Sequence, residues 1–503
     1  MKPLLALCLF ASVAAADPSP LAEWTFDRDT QGWVTIPGTV TTTLWDRNPG
    51  ALRWEYDKSE KGKTFGVQVG GLKIASSGPV FLHFRIRSEG TKFLLFAAKE
   101  EGGQTWFGKV PLALEGWQDL TCSTECMIGG KGFSDPAKFR ELLLWDEAGG
   151  GDAGHVTMRL DSLRVEATAP APVAVEMPAA VEPHPRLAVH LSYAALQDPK
   201  QIAVELGEAK RLGIGMVELI GSEWTDFETA PGKWDWSKLD ALTKEAAARE
   251  MKLVACAGGI INLKYDWKVH VPSDVAFDGD FTKLLPRYGA YLDRFFARYG
   301  KQVKVFTFHS ERCGVYFAKN PGQLDSYEKF LRAAVERVKK LCPGVQTGVC
   351  LVHDEDPVIL RRLCRVGDVS TFLFDVSEHP SWLADRYAAL LDAAGDRKIA
   401  FNEAFHASSP YIGSSEADQA LYVKELFAQM SKHADRLEWC TWWCIRDDDP
   451  AIWTTFGEYL AGGKNGAAIG MRELYSCGLL RRDGTAKPAA AAWVEGVLSL
   501  PRN

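Results

Sequence analysis

The spacing of apolar and polar side chains changes character twice along this chain. Between residues 21 and 166, short runs alternate with a period of two and are broken by Gly, Asp and Ser. Leu52-Arg-Trp-Glu-Tyr-Asp57, Val80-Phe-Leu-His-Phe-Arg-Ile86 and Phe93-Leu-Leu-Phe96 are examples. Successive side chains of a strand point to opposite faces, so this period predicts half-buried strands joined by tight turns. No amphipathic helix intervenes, and segment 17–166 is expected to be an all-β jelly-roll sandwich. Residues 167–185 then bring five prolines, Pro170, Pro172, Pro178, Pro183 and Pro185. That composition reads as a semi-extended linker or a strap along the surface, and it marks the domain boundary.

From Leu187 onward, apolar runs alternate with helical stretches. Strands are predicted near Leu187–Tyr193, Gly215–Gly221, Lys252–Gly259, Lys304–Glu311, Val345–Val352, Asp368–Asp375, Lys398–Phe405 and Glu438–Ile445. Between them, segments such as Ser237–Arg249 keep a helical period through Leu239, Leu242 and Ala246, with Ser237 as N-cap. Eight strands with crossover helices close most naturally into a (β/α)8 TIM barrel, here residues 186–503. The chain is therefore expected to be multidomain, with the sandwich first and the barrel second. The long interval between strands three and four predicts a loop over the barrel mouth that carries Tyr265, Trp267 and His270.

Composition narrows the function classes. Among 503 residues, 46% are hydrophobic and 24% charged, which is globular rather than disordered. The net charge of −7 without a basic block argues against nucleic acid or an anionic membrane surface as partner. Met1–Ala16 has the form of a secretory signal: Lys2, an apolar stretch from Leu4 to Val13, then Ala14-Ala15-Ala16, with Asp17 opening the mature protein. The protein is accordingly expected to be secreted or periplasmic, with no membrane contact after cleavage. Seventeen tryptophans fit a core, and also the flat apolar faces that stack on sugar rings. Of eleven cysteines, Cys8 lies in the signal. Cys122 with Cys126, and less strongly Cys342 with Cys364, are candidate bridges, whereas Cys256, Cys350, Cys440 and Cys444 read as buried thiols.

The candidate chemistry sits at strand ends. Glu311 follows the fourth predicted strand and Glu403 closes the seventh. A barrel enzyme presents its chemistry at the carboxyl ends of its strands. Two carboxylates facing each other there, roughly 5–5.5 Å apart in a retaining enzyme, suffice to cleave a glycosidic bond.

At this point the barrel resembles the clan A glycoside hydrolases, whose catalytic glutamates end strands four and seven. Gly232-Lys-Trp-Asp-Trp-Ser-Lys-Leu-Asp240 is similar to that clan's segment after strand two, and Gly478–Pro488 to its ending after strand eight. The resemblance implies a retaining β-glycosidase acting on a poly- or oligosaccharide, with Glu311 as acid/base and Glu403 as nucleophile, and no cofactor. It also implies a raised pKa for Glu311. One departure is that the clan's Asn-Glu pair at strand four is Ser310-Glu311 here, while Asn402-Glu403 occurs at strand seven. A catalytically inactive glycan-binding barrel is the alternative.

Supporting substrate contacts are expected from Trp442 or Trp443 at strand eight, from His379 against the nucleophile, and from His190, His309, Ser310 and Asn402. Trp224 and Glu223 are rim candidates. No metal is expected: His190-Leu-Ser192 lacks the His-x-His of metal-dependent barrels, and Asp447-Asp448-Asp449 reads as a solvated loop. The N-terminal segment resembles a galactose-binding-like carbohydrate-binding module through Trp24-Thr-Phe-Asp27, Gly32-Trp33 and Leu160–Val165, with Trp45, Trp106 or Trp117 as possible sugar platforms.

Overall fold

The computed structural model describes residues 20–502, apart from 40, 48–49, 59–63, 77, 130–133, 148–153, 262–267, 376–377 and 461–471. The signal-like segment, Tyr265 and Trp267 lie outside the described residues. Two antiparallel sheets form first. One runs Thr42–Arg47, Gly50–Asp57, His155–Glu166, Phe81–Glu89, Gln118–Ser123, with Ala22–Trp24 paired to His155–Glu166. The other runs Val34–Thr35, Thr64–Gly70, Phe139–Glu147, Phe93–Glu100, Thr105–Pro111. The alternation decides which side chains meet. Leu82, Phe84 and Ile86 from the first sheet share one core with Leu94, Phe96, Leu142 and Leu144 from the second. Within that core Tyr56 stacks on Phe65 at 4.6 Å and donates to Asp146 at 2.7 Å. Lys58 pairs with the same carboxylate at 2.8 Å.

The proline-rich stretch is a strap. Val175 bridges Ala486, and Arg481 and Arg211 donate to the Val173 and Pro178 carbonyls. The first barrel strand takes in Pro183 and Pro185, because it begins at Val181 rather than near Leu187. Eight parallel strands then close on themselves. They are β1 (Val181–His190), β2 (Leu212–Glu223), β3 (Lys252–Gly259), β4 (Val303–His309), β5 (Gln346–Val352), β6 (Ser370–Asp375), β7 (Ile399–Phe405) and β8 (Leu437–Trp442). The helices between them bury one stripe each. Leu285–Tyr299 turns Tyr288, Tyr291, Leu292, Phe295 and Tyr299 onto the sheet. In the helix Ser237–Ala248, the buried Leu239, Leu242 and Ala246 fall as the period predicts. Ser237 is its first residue rather than its cap, since Trp236 occupies the cap position and the Asp235 side chain accepts from the Ser237 N–H.

Interior layers follow from the alternation. Ala188, Met216, Val254, Val305, Ala400 and Trp439 close the lower lumen. Val189, Val217, Leu253, Phe306 and Cys440 point outward into the helix-covered core. Cys256, Cys350, Cys440 and Cys444 are buried free thiols. Cys342 and Cys364 are also free: their thiols donate to the carbonyls of Gly300 and Ala393, so the bridge considered between them does not form. The side chain of Cys126 is not among the described ones.

Lys58→Met takes the ammonium away from the buried Asp146 carboxylate and leaves it the Tyr56 hydroxyl as donor. Thermal unfolding of the full chain should show the sandwich destabilised by about 3 kcal/mol, the cost of removing one partner of a buried pair.

Candidate active site

The mouth of the barrel is built at the carboxyl ends of the strands. Odd-numbered residues of β4 enter the lumen, so Val305, Thr307 and His309 stack upward toward it. Just beyond, Ser310 still extends the ladder by donating to the Cys350 carbonyl at 3.0 Å. Arg312 then adopts a left-handed φ of 48°, and the chain turns into the helix Cys313–Lys319. Glu311 sits in that turn, partly exposed, with its carboxylate 3.7 Å from His309 Nε2. That distance is an ion pair only when the imidazole is charged. Burial lowers the His309 pKa to about 4, against a smaller opposing pull from Glu223, so the ring is neutral near pH 7.

On β7 the alternation is broken once. Phe372 pairs with Phe401, but the next partner, Leu373, pairs with Glu403. One extra residue, Asn402, is thereby inserted as a β-bulge. Phe401 and Ala404 face the outer core. Asn402 and Glu403 both turn inward, Asn402 into the lumen and Glu403 to the mouth above it. The Asn402 amide donates to Glu218 Oε1 at 2.7 Å and to Thr307 Oγ1 at 3.0 Å.

Tyr193, just after β1, joins the two halves. Burial is the first cause that pushes its hydroxyl pKa up, followed by the negative fields of Glu403, Asp448 and Glu311. Both glutamates therefore act electrostatically on the same hydroxyl, which stays protonated. An aromatic cluster lies beside it. Trp443 stacks on His190 at 4.6 Å with the planes 4° apart, and Tyr193 packs edge-on against Trp453 at 5.2 Å. Phe405 lies 6.3 Å from the Trp443 ring. Burial lowers the His190 pKa to about 4, so this ring too is neutral. On the neighbouring strand, Glu223 ends β2, accepts from Thr225 at 2.7 Å and has His270 Nδ1 at 3.4 Å.

Of the residues singled out from the sequence, Glu311, Glu403, His190, His309 and Trp443 come together at this mouth. Five others do not. Ser310 is fully buried and its hydroxyl is bonded to Tyr327 at 2.6 Å, toward the helix layer, because the register that brings His309 inward sends Ser310 out. Trp442 faces outward for the same reason, with Nε1 on the Cys477 carbonyl at 3.1 Å and its ring against Tyr422 and Trp493. Trp224 is fully buried rather than on the rim: it packs edge-on against Tyr288 and donates to Glu228 at 3.0 Å. His379 caps the short turn Pro380–Trp382 through the Ser381 N–H and directs Nε2 to Asp418 at 3.6 Å. Asn402 lies below the mouth with its amide spent inside the lumen.

Tyr193, Glu218, Phe405, Asp448 and Trp453 were not picked out as site residues from the sequence. Glu218 had a usable signal, an acid in the inward register of the apolar run Met216-Val-Glu-Leu219. The triple aspartate is no solvated loop. Asp447 pairs with buried Lys487 at 2.7 Å, Asp448 accepts from Trp453 at 3.3 Å, and Asp449 caps the next helix through the Ala451 N–H. Among the described residues, no group of three or more His, Cys, Asp or Glu is arranged to hold a metal ion.

No family model matches this chain. No curated protein matches it either. Among solved structures it is similar to a mutant Xylanase10C from Cellvibrio japonicus in complex with xylopentaose, at 12% identity over 95% of this chain and 99% of that one, with a TM-score of 0.46. It is also similar to the agarase AgWH50C, at 10% identity over 96% and 99% of the two chains, with a TM-score of 0.45. A third is a GH5_18 mutant from Streptomyces cattleya in complex with Manb1-4GlcNAc, at 17% identity over 62% and 80%, with a TM-score of 0.47.

The neutral histidines set a pH dependence of stability. The His309 pKa is 6.5 unfolded and about 4 folded, so as pH falls through that window the unfolded chain takes the proton and the fold loses stability. His309→Asn removes that term. Chemical denaturation should show the variant losing about 2 kcal/mol less than the parent between roughly pH 7 and pH 4.5.

Proposed function

We propose that this chain is a secreted or periplasmic retaining β-glycosidase that hydrolyses O-glycosidic bonds of a poly- or oligosaccharide. The observation that carries the reading is that Glu311 follows β4 beside His309 and Glu403 is turned to the inner side of β7 by the bulge at Asn402, so both acids stand at the carboxyl end of one closed barrel and both act on the Tyr193 hydroxyl. The aromatic cluster of Trp443, Tyr193 and Trp453 supports a sugar ring as the group bound there.

In this reading Glu403, ionised, attacks the anomeric carbon while Glu311, protonated, gives its proton to the leaving oxygen. The glycosidic bond breaks and a covalent sugar–Glu403 ester forms. Water then attacks the same carbon, Glu311 takes its proton, and Glu403 leaves as a carboxylate. The bulge at Asn402 gives Glu403 its inward aim. Tyr193, a protonated hydroxyl in the field of both acids, suits the stabilisation of negative charge on Glu403 before attack and after release. The N-terminal sandwich, read as a jelly-roll carbohydrate-binding module, would hold glycan near the barrel. Among its named tryptophans Trp106 is buried and donates to Glu100, so Trp45 and Trp117, both half-buried, remain as platforms.

The second reading, glycan binding without turnover, is favoured by one observation. Ser310 has no side-chain amide to offer a sugar 2-hydroxyl, and its hydroxyl is tied to Tyr327. A glycan-panel hydrolysis screen of the mature chain separates the two. On the first reading, reducing ends are released by the parent, Glu403→Ala abolishes turnover, and Glu311→Ala lowers kcat by roughly 10²- to 10⁴-fold on substrates with poor leaving groups. Retention on glycan gels without release of any reducing end supports the second. Unchanged hydrolysis by Glu403→Ala refutes the nucleophile assignment.

A further inference from the structure

Below the mouth lies a layer of the lumen that the reaction above does not use. Glu218, Thr307, Thr371, Asn402 and Thr441 line it, and each is at most 1% exposed. Glu218 stands out chemically. It is an acid in a closed parallel sheet, placed by the inward register of β2 between Met216 below and the mouth above. Its Oε1 accepts from Asn402 Nδ2 at 2.7 Å, and the same amide nitrogen reaches Thr307 Oγ1 at 3.0 Å. The second oxygen, Oε2, is buried and makes no hydrogen bond of ordinary geometry among the described residues, although the Thr441 hydroxyl also acts on this carboxyl group.

Asn402 is also the extra residue of the β7 bulge. A bulge residue lacks the ladder bonds that fix its neighbours, so its position is set by what its side chain holds. Here the side chain holds Glu218 and Thr307, on strands two and four, across the lumen from β7. We propose that Glu218 is a positioning residue that fixes the aim of Glu403 through the Asn402 amide. The proposal rests on the glycosidase reading given above. Burial, opposed by the Asn402 amide and the Thr441 hydroxyl, pushes the Glu218 pKa well above the ordinary carboxylate range. A neutral carboxylic acid in this place lets Glu403 be the ionised group at the mouth, since a second buried negative charge beneath it would disfavour that ionisation. It also explains how an acid is tolerated without a cation: neutral, it has only a hydroxyl and a carbonyl to satisfy.

Kinetics of the full chain on the substrate found by the glycan panel test this, with Glu218→Met, Glu218→Gln and Asn402→Leu beside the parent. Glu218→Met should lower kcat on the order of 10- to 100-fold, with KM within about twofold, as expected for a misaimed nucleophile that still binds sugar. Gln keeps the acceptor oxygen and the neutral shape. It should restore kcat to within roughly threefold of the parent and leave the pH profile of kcat/KM in place. Asn402→Leu should carry the same kcat loss as Glu218→Met, and the double variant no more, because the two side chains act as one unit. Parent-like kcat in Glu218→Met, a Glu218→Gln as impaired as Glu218→Met, or additive losses overturn the proposal. Where Glu218→Met does not fold, Glu218→Gln with Asn402→Leu carries the same test. One readout is independent of turnover. The infrared difference spectrum between the parent and Glu218→Gln at neutral pH should contain the carbonyl stretch of a protonated carboxyl group. A carboxylate pair of bands in its place overturns the proposal even if the chain cleaves glycans. Failure of the parent on every glycan, with the protonated band present, strikes the glycosidase reading and leaves the state of Glu218 established.

Discussion

A closed parallel sheet gives each side chain two choices, into the lumen or out against the helices. Everything at the mouth of this barrel depends on that constraint. It carries Val305, Thr307 and His309 up one line of β4 and sends Ser310 to Tyr327 behind the sheet. It divides the neighbours Trp442 and Trp443, so that one becomes helix packing and the other part of the aromatic cluster at the mouth. A single departure, the bulge at Asn402, puts two consecutive polar residues on the inner side of β7. Without it, Glu403 would follow Asn402 onto the opposite face and meet the outer core. The bulge is held in place by side-chain bonds across the lumen, so the inner polar layer and the direction of the carboxylate at the rim are one structural feature.

The electrostatics follow from burial more than from pairing. His190 and His309 lie almost wholly out of water, and the loss of hydration keeps both rings neutral near pH 7. Neutral imidazoles form no ion pair with the carboxylates at the mouth, and one of them gives Trp443 a parallel stacking partner. Charge is handled differently behind the loop after β8. There Lys487, 1% exposed, reaches Asp447 at 2.7 Å, Ser408 at 2.9 Å and the Ser476 carbonyl at 2.9 Å. A buried ammonium with three acceptors is tolerable, and it ties the segment after β8 to the final helix, which starts at Pro488.

The two-sheet domain also bears on the site. It meets the loops that follow β6 and β7. Trp382 donates to the Leu112 carbonyl at 2.9 Å, Leu114 donates to Ser381 at 2.9 Å, and the Lys92 ammonium sits 4.4 Å from the Trp382 ring centre. Added to the strap that binds Val173 and Val175 to the segment after β8, these contacts brace one side of the barrel mouth. A rim supported in this way needs less ordering when a ligand arrives.

Much of this was legible before any coordinates. Period-two runs, proline density and the strand–helix alternation located both kinds of architecture, and all eight strands overlap the apolar runs, the first starting well before its run, at Val181. Those signals are local, and local propensity survives in the tertiary structure when each segment buries one face. The two strand-end glutamates were visible too, because an acid that closes an apolar run has few structural uses. The sequence could not say which of two neighbours faces in, as with Trp442 and Trp443, nor that Ser310, Trp224 and His379 turn away. It could not announce an inserted residue in β7, since Asn402 looks like any polar strand residue until its neighbours' pairings are known. Facing is fixed by register, and register is fixed by hydrogen bonds between strands far apart in the chain. The sequence therefore determined the elements and the kinds of chemistry they carry, while the closing of the sheet decided which side chains share a pocket.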